Sequence, residues 1–90
     1  MAAETEMGKF IASLGEDEYA ALSMLVNADK DFTEIGADYM REYGGMLESA
    51  VDALNGKAMD FIGDVIFDAA HSGIIEDYKK ELEEHFKNDD

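Results

Sequence analysis

The sequence predicts an all-α protein, a compact antiparallel bundle of four to five helices. The 90 residues include no proline, so the strongest helix breaker is absent. Alanine, leucine, methionine, glutamate and lysine, which favour helices, fill much of the chain. Apolar residues recur at helical spacing, and only short polar or glycine-containing connections separate the apolar segments. We expect residues 1–90 to form a single acidic helical domain.

The first two helices are predicted from an apolar stripe and from an acidic start. Residues 3 to 14 carry apolar residues at positions i, i+3, i+4 and i+7, and Gly15 ends this helix. Three consecutive acidic residues then begin the second helix, because carboxylates favour the exposed N–H groups and positive dipole of a helix start. The second helix extends to about Ala28. Asp29 and Asp31 are candidate caps for the next helix.

The remaining sequence predicts three further helices. The third is the longest, residues 32 to 54, with a kink or close helix crossing at Gly44-Gly45. Asn55-Gly56 ends it with a turn. The fourth helix, residues 57 to 72, is apolar around most of its circumference and is therefore predicted to be the most buried. After Gly73 an amphipathic fifth helix extends towards the C-terminus. No segment has the pattern of a strand.

The acidic balance is the strongest functional signal in the sequence. The chain has 22 acidic and 7 basic residues, a formal net charge of −15. Such a surface repels nucleic acid and anionic membranes and attracts basic proteins. We therefore expect a basic, nucleic-acid-binding protein as the partner, with no direct binding to nucleic acid or membrane. No apolar stretch approaches the roughly 18 residues of a membrane span, and the N-terminus lacks an export signal, so we expect a cytoplasmic protein.

Two acidic ridges are predicted as the partner-binding surface. Their carboxylates are Glu34, Asp38 and Glu42 on the third helix and Asp60, Asp64 and Asp68 on the fourth. The four-residue spacing aligns each set along one side of a helix, about 6 Å apart per step. Like charges at this spacing destabilise a helix by roughly a few tenths of a kcal/mol, so stability does not explain them. Carboxylates at this pitch resemble backbone phosphates. The alternative is a solvated face that keeps the protein soluble.

Tyrosines and methionines supply the candidate apolar contacts. Tyr39 and Tyr43, one helical turn apart, are predicted to contact the partner because tyrosine combines an apolar body with a polar tip. Four methionines lie on or beside helix stripes: Met24, Met40, Met46 and Met59. We assign these methionines mainly to the core, and an adaptable partner-binding surface is the alternative.

The sequence contains no catalytic constellation, and we predict that the protein is not an enzyme. The absence of cysteine excludes thiolate catalysis and Cys-based zinc sites. The serines have no suitably placed histidine and acid, and no glycine-rich phosphate loop is present. His71 suits the last turn of a helix and His85 suits an exposed helix face. We therefore predict no metal and no cofactor.

A third hypothesis is a carrier or metal-binding module, although the calcium-loop motif and the carrier motif each lack their defining residue. Residues 27 to 38 place oxygen-bearing side chains at calcium-loop positions, but Phe32 occupies the position that requires glycine. Residues 32 to 40 resemble the helix-two entry of acyl carrier proteins. In that family a serine receives the phosphopantetheine arm, and Tyr39 stands at this position here.

The leading functional hypothesis is a small acidic inhibitor that binds the basic surface of a nucleic-acid-handling protein. DNA mimics, phage anti-defence proteins and nuclease immunity proteins have this general character. Opposed electric fields would speed association, and a smaller apolar and tyrosine contact would retain the complex. The alternative is a non-enzymatic structural or regulatory adaptor, or a homodimerising helical module. Its apolar face, including Tyr43, Met46 and Phe67, would pack on a partner helix or on a second copy.

Overall fold

The computed structural model describes residues 6–27, 31–68 and 73–88. Most of these residues are helical. In chain order the elements are α1 (Glu6–Ala12), α2 (Glu16–Asn27), α3 (Phe32–Tyr43), α4 (Leu47–Phe61), β1 (Phe67–Asp68), β2 (Gly73–Ile74) and α5 (Glu76–Asn88). The two strands pair antiparallel, with Phe67 opposite Ile74. The predicted all-α bundle is confirmed. It also contains a small two-stranded sheet, which the sequence did not predict.

The core is built around α2, which packs against α3, α4 and α5, while α1 packs against α4. The largest fully buried side chains come from four helices and from the segment before β1: Phe10, Leu22, Leu54, Ile66 and Leu82. Among the described residues no polar or charged residue is buried. The interior is therefore apolar, and the carboxylates lie at or near the surface, where water solvates them.

The turn between α1 and α2 is held by Glu18. The Gly15 backbone N–H donates to Glu18 Oε1 at 2.8 Å, an interaction that satisfies a donor left free at the start of α2. Lys57 of α4 donates to the same oxygen at 2.6 Å and to the Ser13 carbonyl at 3.0 Å. The Lys57 hydrogen bond, followed by that from Gly15, lowers the pKa of Glu18 below its ordinary value. The predicted start of α1 at residues 3 to 5 lies outside the described residues.

The predicted third helix, residues 32 to 54, is two helices. Asp31 caps α3 as expected, because its side chain accepts the Glu34 N–H at 2.9 Å. Gly44 ends α3 in the left-handed conformation, with φ of 75°, and its N–H donates to the Met40 carbonyl. That conformation turns the chain out of the helix. The expected kink at Gly44-Gly45 is therefore a complete break, and α4 begins at Leu47.

The expected turn at Asn55-Gly56 was wrong, because α4 passes through both residues and ends at Phe61. The Asn55 side chain forms its hydrogen bonds with a distant segment of the chain instead of with its neighbours in sequence. Its oxygen accepts the N–H groups of Ile66 and Phe67 at 3.1 and 3.0 Å, and its nitrogen donates to the Phe67 carbonyl at 3.2 Å. Asparagine favours turns when its side chain forms hydrogen bonds with nearby backbone groups. Here the Asn55 side chain bonds the backbone of residues 66 and 67 instead.

The predicted fourth helix, residues 57 to 72, was also wrong. The helix ends at Phe61, a bend follows, and Phe67 enters β1, while residues 69–72 lie outside the described part. Gly73, expected to separate the fourth helix from the fifth, belongs to β2. The Phe67 ring packs on Phe32, with ring centroids 5.4 Å apart. This packing and the Asn55 hydrogen bonds favour an extended backbone where the apolar pattern alone indicated a helix.

The fifth helix follows the prediction over Glu76–Asn88. Leu82 and Phe86 are buried, and the Phe86 ring packs on Tyr19 of α2 with centroids 5.1 Å apart. Residues 89–90 lie outside the described residues. Within residues 6–27, 31–68 and 73–88, no helix has the length and apolarity needed to cross a bilayer.

Candidate functional site

An open apolar groove lies between α3 and the start of α4. It has a volume of about 260 Å³ and is lined by Phe32, Thr33, Gly36, Met40, Met46, Leu47 and Glu48. We call it the α3–α4 groove. Phe32, Gly36 and Met40 are spaced four residues apart, so they form one stripe along α3. Leu47 is buried, and a side chain added at Gly36 would meet its Cβ at 3.8 Å. Leu47 therefore forms the floor of the groove beside Gly36.

Three large apolar side chains are exposed at the corner where α3 meets α4. Met40, Tyr43 and Met46 are 45, 41 and 56 % exposed. The main expectation for Met40, Met46 and Met59, that they fill the core, was wrong, since all three are exposed. Contiguous exposed apolar residues are typical of interaction surfaces, and methionine adapts to differently shaped partners. The corner therefore has the composition of a protein-binding surface.

The charges on α3 and α4 are strongly unbalanced. Residues 32 to 61 contain six carboxylates and two cations. Both cations already have acidic partners, because Arg41 pairs with Asp38 and Lys57 pairs with Glu18. Glu48 lies in the wall of the α3–α4 groove, and Asp52 follows it by one turn on the exposed side of α4. The surface of these helices therefore carries excess negative charge that no cation of α3 or α4 offsets.

The first predicted ridge lies on one helix, as expected. Glu34, Asp38 and Glu42 all belong to α3, where Glu34 and Glu42 are exposed and Asp38 is half-buried. Asp38 and Glu42 line an open depression of about 470 Å³ together with Met24, Arg41 and Tyr43. At 100° per residue, the ridge lies on one side of the buried face of α3, and the α3–α4 groove lies on the other side. The ridge and the groove therefore flank the same helix.

The second predicted ridge does not exist as a helical stripe. Asp60 is in the last turn of α4, Asp64 is in the following bend, and Asp68 is in β1. Asp64 has a structural role, because its carboxylate accepts the Val65 N–H at 2.8 Å and the Tyr78 hydroxyl at 2.9 Å. That hydrogen bond is the main reason why the pKa of Tyr78 is raised. The three carboxylates therefore do not present a regular phosphate-like pitch.

The two predicted contact tyrosines have different environments. Tyr39 is 4 % exposed, and its hydroxyl donates to the Asp17 carbonyl at 3.4 Å. Burial raises its pKa, and the nearby carboxylate of Asp17 adds to that effect. Tyr43 stacks obliquely on Tyr39, with centroids 5.1 Å apart, and remains exposed. The assignment of Tyr39 as a partner contact is therefore corrected to a core residue that supports Tyr43.

Other residues singled out from the sequence fall outside this surface. Phe67, named for an apolar docking face, is 4 % exposed and belongs to the core. The His85 ring lies edge-on to Phe86 on α5, and His71 is outside the described residues. In the part of the chain that the structure describes, no group of three histidine or acidic side chains is arranged to hold a metal ion.

The α3–α4 groove itself was missed by sequence reasoning. The pattern of residues 32 to 54 predicts one continuous helix and does not single out a stripe of Phe32, Gly36 and Met40. The break at Gly44-Gly45 was the available signal, because a complete break turns α4 away and leaves apolar residues on both sides of the corner incompletely covered. Met46, immediately after the glycines, is the clearest example.

The family model described as TerB-C domain matches residues 1–83. TerB-C is a helical domain that is not known as catalytic. No curated protein and no solved structure gives a significant match.

Proposed function

Because this chain belongs to the TerB-C domain family, we propose that it is a non-catalytic, acidic interaction domain that binds a basic protein in the cytoplasm. The family is associated with tellurite resistance and protein interaction. The proposal assigns the binding to the surface formed by α3 and α4. As in the adaptor hypothesis, an apolar face contacts the partner. As expected from the net charge, that partner is a basic protein.

A single observation carries this proposal: the exposed apolar corner lies on the two helices with the unbalanced charge. Met40, Tyr43 and Met46 offer area that a partner can remove from water. Residues 32 to 61 carry six carboxylates and only two cations. A surface of this kind suits a partner with apolar anchors surrounded by lysine or arginine.

Charge and apolar area would contribute to different stages of binding. The net charge of −15 attracts a basic partner over distances of about 10 Å at moderate salt, and this attraction weakens as salt rises. Burial of apolar side chains acts at contact and depends little on salt. The complex is therefore expected to form fast and to dissociate faster when either the corner or the surrounding charge is altered.

Affinity capture with matched charge variants tests the proposal. The wild-type chain, Glu34→Lys/Glu42→Lys and Glu83→Lys/Glu84→Lys are immobilised, incubated with lysate of the source organism and eluted with a salt gradient. The two variants have equal net charge, but one changes α3 and the other changes α5. We expect a basic protein to be retained by the wild type and the α5 variant and lost from the α3 variant.

Two results would contradict the proposal. Equal loss of binding in both variants would mean that only total charge matters and that α3 is not a specific surface. Retention of no basic protein by the wild-type chain would remove the basic partner altogether. Circular dichroism of each variant establishes that the helices are intact.

A second candidate function narrows the partner to a nucleic-acid-handling protein whose basic surface the chain occupies. The regular placement of Glu34, Asp38 and Glu42 along α3 favours it, because carboxylates at this pitch resemble backbone phosphates. The irregular positions of Asp60, Asp64 and Asp68 count against it. An inhibitor of this kind excludes nucleic acid from its target by occupying the same site.

Competition with nucleic acid tests this second function. Duplex DNA is added to the captured complex, and an equal charge concentration of polyglutamate serves as control. Release by DNA at a much lower charge concentration than by polyglutamate supports a shared nucleic-acid site. Equal release by both polymers would indicate nonspecific screening and would remove the nucleic-acid-handling partner.

A further inference from the structure

We propose that the partner element is a basic amphipathic helix, which places its apolar residues in the α3–α4 groove and its lysine or arginine residues beside Glu48 and Asp52. This inference rests on the proposed function and specifies the ligand of the same surface. The ligand is defined by its chemistry: a short helix with apolar residues on one side and cations on the other.

The length of the groove fits about two turns of a docked helix. Phe32, Gly36 and Met40 span nine residues of α3, a rise of about 12 Å or roughly two helical turns. Gly36 leaves a hollow between two larger side chains, and Leu47 closes its floor. Two apolar side chains one or two turns apart on a docked helix have the spacing to enter on either side of Met40.

The lining of the groove suits apolar side chains of variable shape. Met40 and Met46 stand at its edge, 45 and 56 % exposed, and their unbranched side chains can repack around an incoming leucine or phenylalanine. Thr33 and Glu48 are the polar members of the lining. The contact therefore combines an adaptable apolar centre with a polar edge, as is typical of helix-binding grooves.

Charge complementarity selects a basic helix in preference to a second copy of this chain. Glu48 is in the lining and Asp52 is one turn further along the exposed side of α4. The two cations of α3 and α4 are engaged with Asp38 and Glu18. A second copy would bring another charge of −15 towards this surface, and that repulsion opposes self-association. A lysine- or arginine-bearing helix reverses the sign of the interaction.

Binding of designed peptides tests the inference directly. The probe is a peptide of about 14 residues, four helical turns, with leucines on one face and lysines elsewhere. A peptide of the same composition with the leucines distributed around the helix is the control for charge. By isothermal titration calorimetry we expect the amphipathic peptide to bind at least about tenfold more tightly than the control.

Variants of the groove locate the binding site. We expect Met40→Gln/Met46→Gln to weaken binding of the amphipathic peptide about tenfold, because both polar side chains disfavour an apolar contact. Met59→Gln is the matched control, since Met59 is equally exposed on α4 at 54 % but does not line the groove. Glu48→Gln should weaken binding mainly at low salt, whereas Glu83→Gln on α5 should not.

The outcomes separate this inference from the proposed function. If both peptides bind equally and Glu34→Lys/Glu42→Lys abolishes binding, the basic-partner function stands and the helix-in-groove inference fails. If neither peptide binds, the helix-in-groove inference fails, and retention of a basic protein in the affinity capture decides whether the proposed function stands. Equal weakening by Met59→Gln and by the groove variant would also overturn the inference. Analytical ultracentrifugation showing a dimer that Met40→Gln/Met46→Gln dissociates would replace the helix with a second copy.

Discussion

The side chain of Asn55 pairs with the backbone of Phe67 through two hydrogen bonds. Asn55 Oδ1 accepts the Phe67 N–H at 3.0 Å, and Asn55 Nδ2 donates to the Phe67 carbonyl at 3.2 Å. The same oxygen also accepts the Ile66 N–H at 3.1 Å. An amide in the middle of α4 thus acts like a neighbouring strand for the start of β1. Because Ile66 and Phe67 are buried, their N–H groups have poor access to water.

Removal of the Asn55 amide should destabilise the protein strongly. We expect Asn55→Ala to lower the free energy of unfolding by about 2 kcal/mol, because it leaves buried N–H groups without an acceptor. Asn55→Asp keeps an acceptor for both N–H groups but sets a carboxylate oxygen against the Phe67 carbonyl, so it should still destabilise the protein, although less than Asn55→Ala. Urea denaturation measures both, with the exposed α4 variant Ser49→Ala as control. A change no larger than that of the control would show that the interaction contributes little.

Lys57 should stabilise the α1–α2 turn in a pH-dependent way. We expect Lys57→Met to lower stability by about 0.5–1 kcal/mol at neutral pH, since the ion pair is partly exposed. Lys57 lowers the pKa of Glu18 in the folded protein below the ordinary value of 4.5. The contribution of this pair is therefore present above pH 4.5 and is lost as the pH falls through the folded-state pKa.

Unfolding free energies measured from pH 7 down to pH 3 test the Lys57 prediction. The difference between wild type and Lys57→Met should narrow at the acid end, leaving the part due to the Ser13 carbonyl. Lys79→Met on the exposed side of α5 is the control. A difference that is constant across this range would mean that the Glu18 charge is not involved.

Two glycines should respond in opposite directions to substitution by alanine. Gly44 has φ of 75°, so Gly44→Ala should cost about 1 kcal/mol because a Cβ is strained in the left-handed region. Gly56 lies inside α4 with open space around its missing Cβ, so Gly56→Ala should stabilise by about 0.5–1 kcal/mol. Thermal unfolding compares them. Stabilisation by Gly44→Ala would contradict the αL cap.

The hydrogen bond from Tyr78 to Asp64 should be visible in the tyrosine titration. It raises the pKa of Tyr78 above the ordinary value of 10.0, so Asp64→Asn should shift that pKa downward. Its contribution to stability is present below pH 10.0 and is lost as the pH rises through the raised pKa. NMR titration of the tyrosine rings measures the shift. The same shift in Asp60→Asn would indicate a general charge effect instead of this hydrogen bond.

The helices that the sequence predicted best have strong local signals. Asp31 caps α3 through the Glu34 N–H, and Gly15 separates α1 from α2, because caps and stops act within one turn. The α5 stripe of Leu82 and Phe86 is buried as its spacing indicated. These features depend on neighbours in sequence, so the residues themselves carry the information.

The candidate site was predicted only in part. Glu34, Asp38 and Glu42 lie on one helix as expected, because α3 covers the whole range from residue 34 to residue 42. Tyr43 is exposed but Tyr39 is buried, and periodicity alone does not distinguish the two edges of an apolar stripe. The groove depends on the position of the start of α4 relative to α3. Local sequence patterns do not predict that position.

The sequence by itself determined the helical class, the acidic surface, the cap at Asp31 and the helix stop at Gly15, because composition, charge and capping act locally. Tertiary structure decided the course of the chain after Gly56. Residues 57 to 68 are apolar enough for a helix, yet the backbone becomes extended at Phe67, where Asn55 supplies hydrogen bonds and Phe32 supplies an aromatic contact. Both partners lie far earlier in the chain, Asn55 within α4 and Phe32 at the start of α3. Long-range partners of this kind override local propensity once the fold brings them together.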